Sequence, residues 1–496
     1  MTLFFQKLFA RYPAKIRRFL EVLPGCLSWL LILSPIWGSL LIPSALTYFL
    51  LFFDIYWLYK SSALAICSYI ASDKIRRAER EDWLQKARHL PNFSRVTHVL
   101  VIPNYKERIE RLRATLQTIA QQTFPRERLF VVLAMEEREP EARAKARALL
   151  REFQPVFGCL MVTYHPDRAG ETKGKSSNQA FAARETYRAL VECGRIDLAY
   201  ATVSSVDADT TFDRQYFAYL TYAFLTSPKR HHTFWQSANV SFNNFWQVPA
   251  AVRIVAFLES LWRVAVLIQP GRLLSNSTYS LSFKMLADIG FWDVDVIPED
   301  YRIFFKAFYR LQGKVWVKPL FLKTSMDSPR ASGYLQTLKS KYEQERRWAW
   351  GVSDLPLFIQ WWLTVPGVPF ARKTLMLYPV LLDHVLWPAT WFILTLAARV
   401  MIVVNPTFSH LPTSAELLRL GGLILTPCIF TTLVLAIDLR HRPAKQGASS
   451  IKWLLFPLEL VLMPATSFFL VSLPGVVSHT QLLLGKRLEY QVTEKL

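Results

Sequence analysis

Two aspartates, Asp207 and Asp209, stand one residue apart at the end of the apolar run Val203-Ser-Ser-Val-Asp207-Ala-Asp209. Side chains at i and i+2 of a strand share a face, so two hard carboxylate oxygens there could hold a divalent cation against a diphosphate. A polar turn after a strand is the competing reading, and an isolated DxD arises often by chance. Pro103-Asn-Tyr105-Lys-Glu107 closes another apolar run and opens a helical pattern, a position suited to receiving a nucleotide and equally to an ordinary strand-to-helix turn. Glu136 and Glu137 end a third run, where a carboxylate could accept a hydrogen bond from a base or ribose, or sit solvated in a loop.

Further along, Gly170-Glu-Thr-Lys173-Gly174-Lys175-Ser-Ser-Asn178 offers two lysines on flexible backbone, as a phosphate-contacting loop would. It lacks the Walker spacing, so a nucleotide-hydrolysing P-loop is not indicated. Glu299 and Asp300 come next, and a carboxylate there could take the proton of an attacking hydroxyl. Asp300 also fits the N-cap of a helix over 301–311. Gln344, Arg347 and Trp348 are spaced i, i+3, i+4 and share one helical face. Arg347 could bind phosphate and Trp348 could stack on a sugar or nucleotide, or the segment could be a basic helix on a membrane surface.

Elements of the right kind surround these residues. Strand-like runs at 97–102, 129–134 and 199–206 alternate with helical patterns at 108–122 and 141–152. This alternation predicts an α/β domain with a mostly parallel sheet and a site at the carboxyl ends of its strands.

On either side the composition turns membrane-like. The 496 residues are 52% hydrophobic and 14% aromatic, with a formal net charge of +21. Residues 27–42 and 44 to about 70 read as a helical hairpin turning at Pro43, with Asp54 and Lys60 directed at protein or snorkelling to the interface. Blocks at 374–404, 417–437 and 451–484 read as further spans, the last long enough for two passes if it breaks near Pro474. The stretch 355–370, interrupted by Pro356, Pro366 and Pro369, reads as interfacial. These boundaries predict an N-terminal anchor over 1–72, a connector over 73–95, a catalytic domain over 96–352, an interfacial segment over 353–372 and a membrane region over 373–496.

Much of the positive charge flanks the apolar blocks: Lys7, Arg11, Lys15, Arg17 and Arg18 before the first, and Arg440, Arg442, Lys445 and Lys452 between two later ones. The loop 405–416 has no Lys or Arg. The positive-inside rule then puts the N-terminus and the α/β domain in the cytoplasm. Nucleic-acid binding is disfavoured, because no recognised motif accompanies the charge. The five cysteines lack CxxC spacing and imply neither a disulfide framework nor a zinc site.

Taken in order, PxYxE, a strand-end acid, the KGK loop, DxD, the ED pair and QxxRW resemble the inverting family-2 glycosyltransferases of the membrane-bound, cellulose- and hyaluronan-synthase-like type. The resemblance covers about residues 96–352 and implies a GT-A-like, Rossmann-like catalytic fold. It implies that Pro103, Tyr105, Glu107, Lys173 and Lys175 bind the nucleotide sugar, and that Glu136 replaces an aspartate more usual at the base or ribose. It gives Asp207 to the diphosphate region, Asp207 and Asp209 to a Mg or Mn ion, and Asp300 to the catalytic base. Gln344, Arg347 and Trp348, with Glu299, would form the gate and acceptor platform. The implied partners are a nucleotide-sugar donor, a glycan or lipid-linked acceptor and the bilayer of the inner (plasma) membrane. Single-sugar transfer to a lipid phosphate, of the dolichyl-phosphate mannose synthase type, is the enzymatic alternative. A transporter or scaffold with a degenerate sugar-binding domain is the non-enzymatic one, disfavoured because every charged position that catalysis needs is filled.

Overall fold

A computed structural model describes residues 2–269, 271–407 and 450–488. The span expected at 417–437, with Arg440, Arg442 and Lys445 behind it, lies outside the described residues. The chain divides into two units. One gathers Ala71–Phe245 and Val266–Ser328, and the other gathers Met1–Ile70, Trp246–Ala265 and Pro329–Glu489.

The first unit is built on one sheet. Its strands are β1 (Thr97–Asn104), β2 (Leu129–Glu136), β3 (Cys159–His165), β4 (Ala201–Ser205), β5 (Thr211–Phe212), β6 (Thr233–Val240), β7 (Tyr279–Ser282) and β8 (Trp316–Ser325). They lie in the order β3-β2-β1-β4-β7-β6-β8-β5. Pairs β1–β2, β2–β3, β1–β4 and β6–β8 are parallel, whereas β4–β7, β6–β7 and β5–β8 run antiparallel. The chain therefore adopts the α/β class expected, with a mostly parallel sheet.

The sequence explains the layering. All eight residues of β2 are buried, so the strand must be covered on both faces, and its unbroken apolar run meets that demand. Helix Ile109–Ala120 buries Leu112, Thr115, Leu116 and Ile119, and helix Ala142–Phe153 buries Ala142, Ala146, Leu149 and Phe153. Both sets recur at three- and four-residue spacing, which makes one apolar stripe per helix. At Gly158 a Cβ would stand 1.9 Å from the Glu127 carbonyl oxygen, so only glycine lets the chain enter β3 beside the 126–128 turn. The strand order reverses between β1 and β4, since β2 and β3 build outward on one side and β4 begins the other. A crevice at such a switch point is where open α/β sheets bind ligands.

The described residues of the second unit are mostly helical. Pro43–Glu79, Phe370–Val404 and Trp453–Leu483 are each long and apolar enough to cross a membrane, and Pro13–Ile32 with Ser34–Leu41 makes a fourth candidate bent by 65°. The bend falls at Leu33, where Pro35 starts the next helix, and Pro43 in turn starts the one after. The helix Pro43–Glu79 continues past residue 72 because Asp73 pairs with Arg76 and Arg77 one turn on. The last apolar block runs through Pro474 as one candidate span, with Pro474 near the start of Leu473–Leu483.

Some ionisable residues in these helices are buried or paired. Asp54 is buried, Lys60 lies 3.7 Å from Asp383, and Glu459 makes a two-pronged pair with Arg253 at 2.6 and 2.8 Å. Phe257, on the helix Ala250–Val266 that carries Arg253, packs edge-on against Phe456. Helix Leu355–Thr364 ends where Pro366 and Pro369 follow, and Gln6 donates to its Thr364 carbonyl.

Candidate active site

Lys175 opens the helix Lys175–Thr186, and its ammonium is the hub of the acidic cluster. Its Nζ lies 2.7 Å from Asp207 Oδ1 and 2.8 Å from Glu299 Oε1, and donates to the Ser277 carbonyl at 2.9 Å. Four segments thus meet at one cation: the KGK segment that carries it, the turn after β4, the loop at Ser277 and the start of helix Glu299–Arg310. Ser177 holds the KGK turn by donating to the Thr172 carbonyl, while Ser176 donates to the Asp293 carbonyl.

Asp300 is the second residue of its helix, since Pro298 occupies the N-cap position. The N-cap expected at Asp300 is corrected accordingly. Its carboxylate accepts from the backbone N–H of Ser277 at 3.1 Å and of Tyr301 at 3.0 Å. Ser277 has φ of 51°, a left-handed backbone rare for a residue with a side chain. Its peptide bridges the two ends of the cluster, giving its N–H to Asp300 and its carbonyl to Lys175. Strain of this kind persists only where the surroundings impose it.

The electrostatics follow from crowding. Burial, with Asp300 and Asp207 close by, pushes the Glu299 carboxyl up to about 7 against the pull of Lys175. Burial likewise raises Asp300, which keeps part of its surface open to solvent. Burial works against the Lys175 ammonium, but Asp207 and Glu299 hold it well above its ordinary value. The site therefore keeps a fixed positive charge beside carboxyls poised nearer neutrality than free ones.

The aspartate pair departs from expectation. β4 stops at Ser205, and the chain turns over 207–210 with the Thr210 N–H donating to the Asp207 carbonyl at 3.0 Å. Off the strand, the i, i+2 rule no longer holds, and the two side chains take different partners. Asp207 turns to Lys175. Asp209 is buried and accepts from the Asp327 backbone N–H at 2.8 Å, and Asp327 pairs with Arg111. Among the described residues no group of three His, Cys, Asp or Glu side chains is arranged to hold a metal ion.

At the ends of β1 and β2 a second cluster forms. Pro103 pairs in register with Ala134, and Lys106, at φ of 63°, donates its N–H to Glu139 at 2.9 Å. Lys145 ties this turn down by bonding both Glu139 and the Glu107 carbonyl. The Tyr105 ring lies under the Arg138 guanidinium at 4.0 Å, and Arg138 in turn pairs with Glu136 at 3.1 Å. Glu136 is 3% exposed and also faces His165 at 3.5 Å, so it is no solvated loop charge. His165 bonds Glu171 at 2.7 Å. Burial lowers the His165 imidazole, but the two glutamates outweigh it and raise its pKa.

The structure thus joins Lys175, Asp207, Glu299 and Asp300 in one cluster, and Tyr105 with Glu136 in another. Lys173 points outward, pairing with Asp167 at 2.5 Å with its side chain 56% exposed. Gln344, Arg347 and Trp348 lie on helix Tyr334–Ala349 of the other unit. Arg138, Glu139, His165, Ser277 and Asp327 were not singled out by sequence reasoning. The Glu136-Glu-Arg-Glu139 charge run and the small polar stretch Ser275–Ser282 hinted at three of them, whereas a residue that supports another across the fold leaves no local pattern.

A family model described as glycosyl transferase family group 2 matches residues 203–440. Among solved structures the chain is similar to a mannosyltransferase from Pyrobaculum calidifontis in complex with GDP-Man and Mn2+, at 14% identity and a TM-score of 0.42, covering 86% of this chain and 100% of that one. It is also similar to TarS residues 1–349 of S. aureus in complex with UDP, at 11% identity and a TM-score of 0.39, covering 80% of this chain and 94% of that one. Comparison with curated proteins yields no match. The chain is a glycosyltransferase whose residues 203–440 match family group 2.

Proposed function

We propose that this glycosyltransferase moves a sugar from a nucleotide-sugar donor to a hydroxyl of a glycan acceptor, with inversion at the anomeric carbon, and so extends a polysaccharide at the membrane. The observation that supports this most is the convergence of Asp207, Glu299 and the KGK loop on Lys175, with Asp300 beside them. A leaving diphosphate needs fixed positive charge, and an attacking hydroxyl needs a base; the cluster offers both.

In this reading Asp300 takes the hydroxyl proton as the oxygen bonds to the anomeric carbon. The bond from that carbon to the phosphate oxygen breaks on the opposite face, and the nucleoside diphosphate departs. Lys175 counters the charge that builds on the leaving group. Tyr105, Arg138 and Glu136 border the nucleotide, with Pro103 and Glu107 shaping the loop beneath it. Trp348, with Gln344 and Arg347, receives the acceptor, since an indole suits a sugar ring.

Asp207 and Asp209 are the residues that would hold a Mg or Mn ion. Because Asp207 pairs with Lys175 and Asp209 accepts from the Asp327 N–H, an ion would have to displace Lys175 from Asp207 and draw most of its oxygen shell from the diphosphate and water. When bound, such an ion supplies charge neutralisation at the diphosphate. The basic N-terminal flank supports a cytoplasmic catalytic domain at the inner membrane.

Membranes containing the full chain, incubated with a panel of nucleotide sugars, test the reading by mass analysis of the product. A ladder of oligosaccharides is expected. A single organic-soluble glycolipid would replace polymer extension by transfer to a lipid phosphate, and no turnover with any donor would overturn the proposal.

A further inference from the structure

Helix Tyr334–Ala349 carries an ionic group in a place that core packing ordinarily keeps apolar. Lys341 is 1% exposed, and its ammonium lies 2.7 Å from Glu259 Oε1 and 2.7 Å from Glu345 Oε1. The same nitrogen donates to Gln344 Oε1 at 3.0 Å and stands 4.8 Å from the ring centroid of Trp348. The Arg263 guanidinium lies 5.3 Å from that centroid. Residues 341, 344, 345 and 348 are i, i+3, i+4 and i+7, one face of the helix.

Stability does not explain this arrangement. Taking an ammonium and carboxylates out of water carries a penalty that their attraction seldom exceeds, and well-packed apolar side chains of similar volume do as well or better. What an apolar cluster cannot do is orient polar groups. With its oxygen bonded to Lys341, the Gln344 amide has its N–H donors left to offer elsewhere. With a cation against its π-face, the Trp348 indole is held in one plane.

We propose that Lys341, anchored by Glu259 and Glu345, is a positioning residue that turns the Gln344 amide into a donor and fixes the Trp348 ring to receive an acceptor sugar. The inference rests on the acceptor role proposed above for Trp348. Burial and the neighbouring Glu259 carry Glu345 well above the usual carboxylate range. Burial opposes ionisation of Glu259 as well, but Lys341 holds it low. Lys341→Met combined with Glu259→Gln removes the ammonium together with one of its two carboxylate partners.

The test uses the full chain in nanodiscs labelled with 5-fluorotryptophan, the Trp348 resonance being identified by its loss in Trp348→Phe. In the double variant the Tm stays within a few degrees of wild type, while the Trp348 resonance shifts or broadens. Transfer from the donor found in the nucleotide-sugar screen shows an acceptor KM raised roughly tenfold with donor KM unchanged, as loss of one cation–π contact and one hydrogen bond requires. A stable double variant with the wild-type resonance and acceptor KM would overturn the proposal. Should the double variant not purify, Lys341→Arg keeps the charge but displaces the nitrogen, and the same two readouts decide. If the wild type turns over no nucleotide sugar, the function proposed above fails, and the resonance comparison alone settles the orientation of Trp348.

Discussion

Lys175 pairs with Asp207 and Glu299 close to a raised Asp300, so on the proposed mechanism the reaction's pH dependence should follow that one cation. With Asp300 as the proposed base, which must be ionised to act, activity is expected to fall as pH drops through its folded pKa. Because burial raises that pKa, the acid limb of kcat/KM lies above the ordinary aspartate range. Lys175→Met removes the charge that favours the ionised carboxylates, and the limb moves up by about 1–3 pH units; a limb left in place would show that Lys175 does not set it. Asp300→Asn lowers kcat by about 10²- to 10⁴-fold with donor affinity kept, read by single-turnover transfer and by nucleotide binding. At this scale the sequence carried Asp207, Glu299, Asp300 and Lys175, since unlike charges at strand and helix ends advertise themselves. It could not separate Lys175 from Lys173, which lie two residues apart and face opposite surroundings, nor foresee that a turn would part Asp209 from Asp207.

Elements were legible where periodicity was strong. The apolar runs of β1 and β2 and the stripes of helices Ile109–Ala120 and Ala142–Phe153 appear within two residues of the expected bounds. The short strands β5 and β7 were not legible, because two to four residues hold no period and their place comes from partners far along the chain. Close approaches were hidden for the same reason. Gly158→Ala forces a methyl into the Glu127 carbonyl and is expected to destabilise the sheet unit by about 1–3 kcal/mol or more, seen as a lowered Tm of the purified chain. Glu459→Ala leaves Arg253 buried without its partner at a cost of about 3–5 kcal/mol, whereas Arg253→Met with Glu459→Leu recovers most of that loss. Equal losses in the single and double variants would contradict this account.

For the whole molecule, charge and hydropathy were sufficient to read membrane-length helices around an α/β domain, because both depend on composition over long windows rather than on contacts. Sidedness can be checked with a natural probe. Cys193 is exposed in the sheet unit, and with the other four cysteines replaced by serine it should react with a membrane-impermeant maleimide in inverted vesicles and not in intact cells. Labelling in intact cells would reverse the orientation read from Lys7, Arg11, Lys15, Arg17 and Arg18. The chain path carries a practical warning as well. Between β6 and β7 it leaves the sheet unit for Trp246–Ala265, a segment that belongs with the helices, and then returns. A soluble catalytic fragment cut at residues 71 and 328 would therefore keep Arg253 and Phe257 but discard Glu459 and Phe456, exposing a sticky, half-neutralised helix. Such a truncation should aggregate on expression, whereas one in which a short hydrophilic loop replaces 246–265 has the better prospect of remaining in solution.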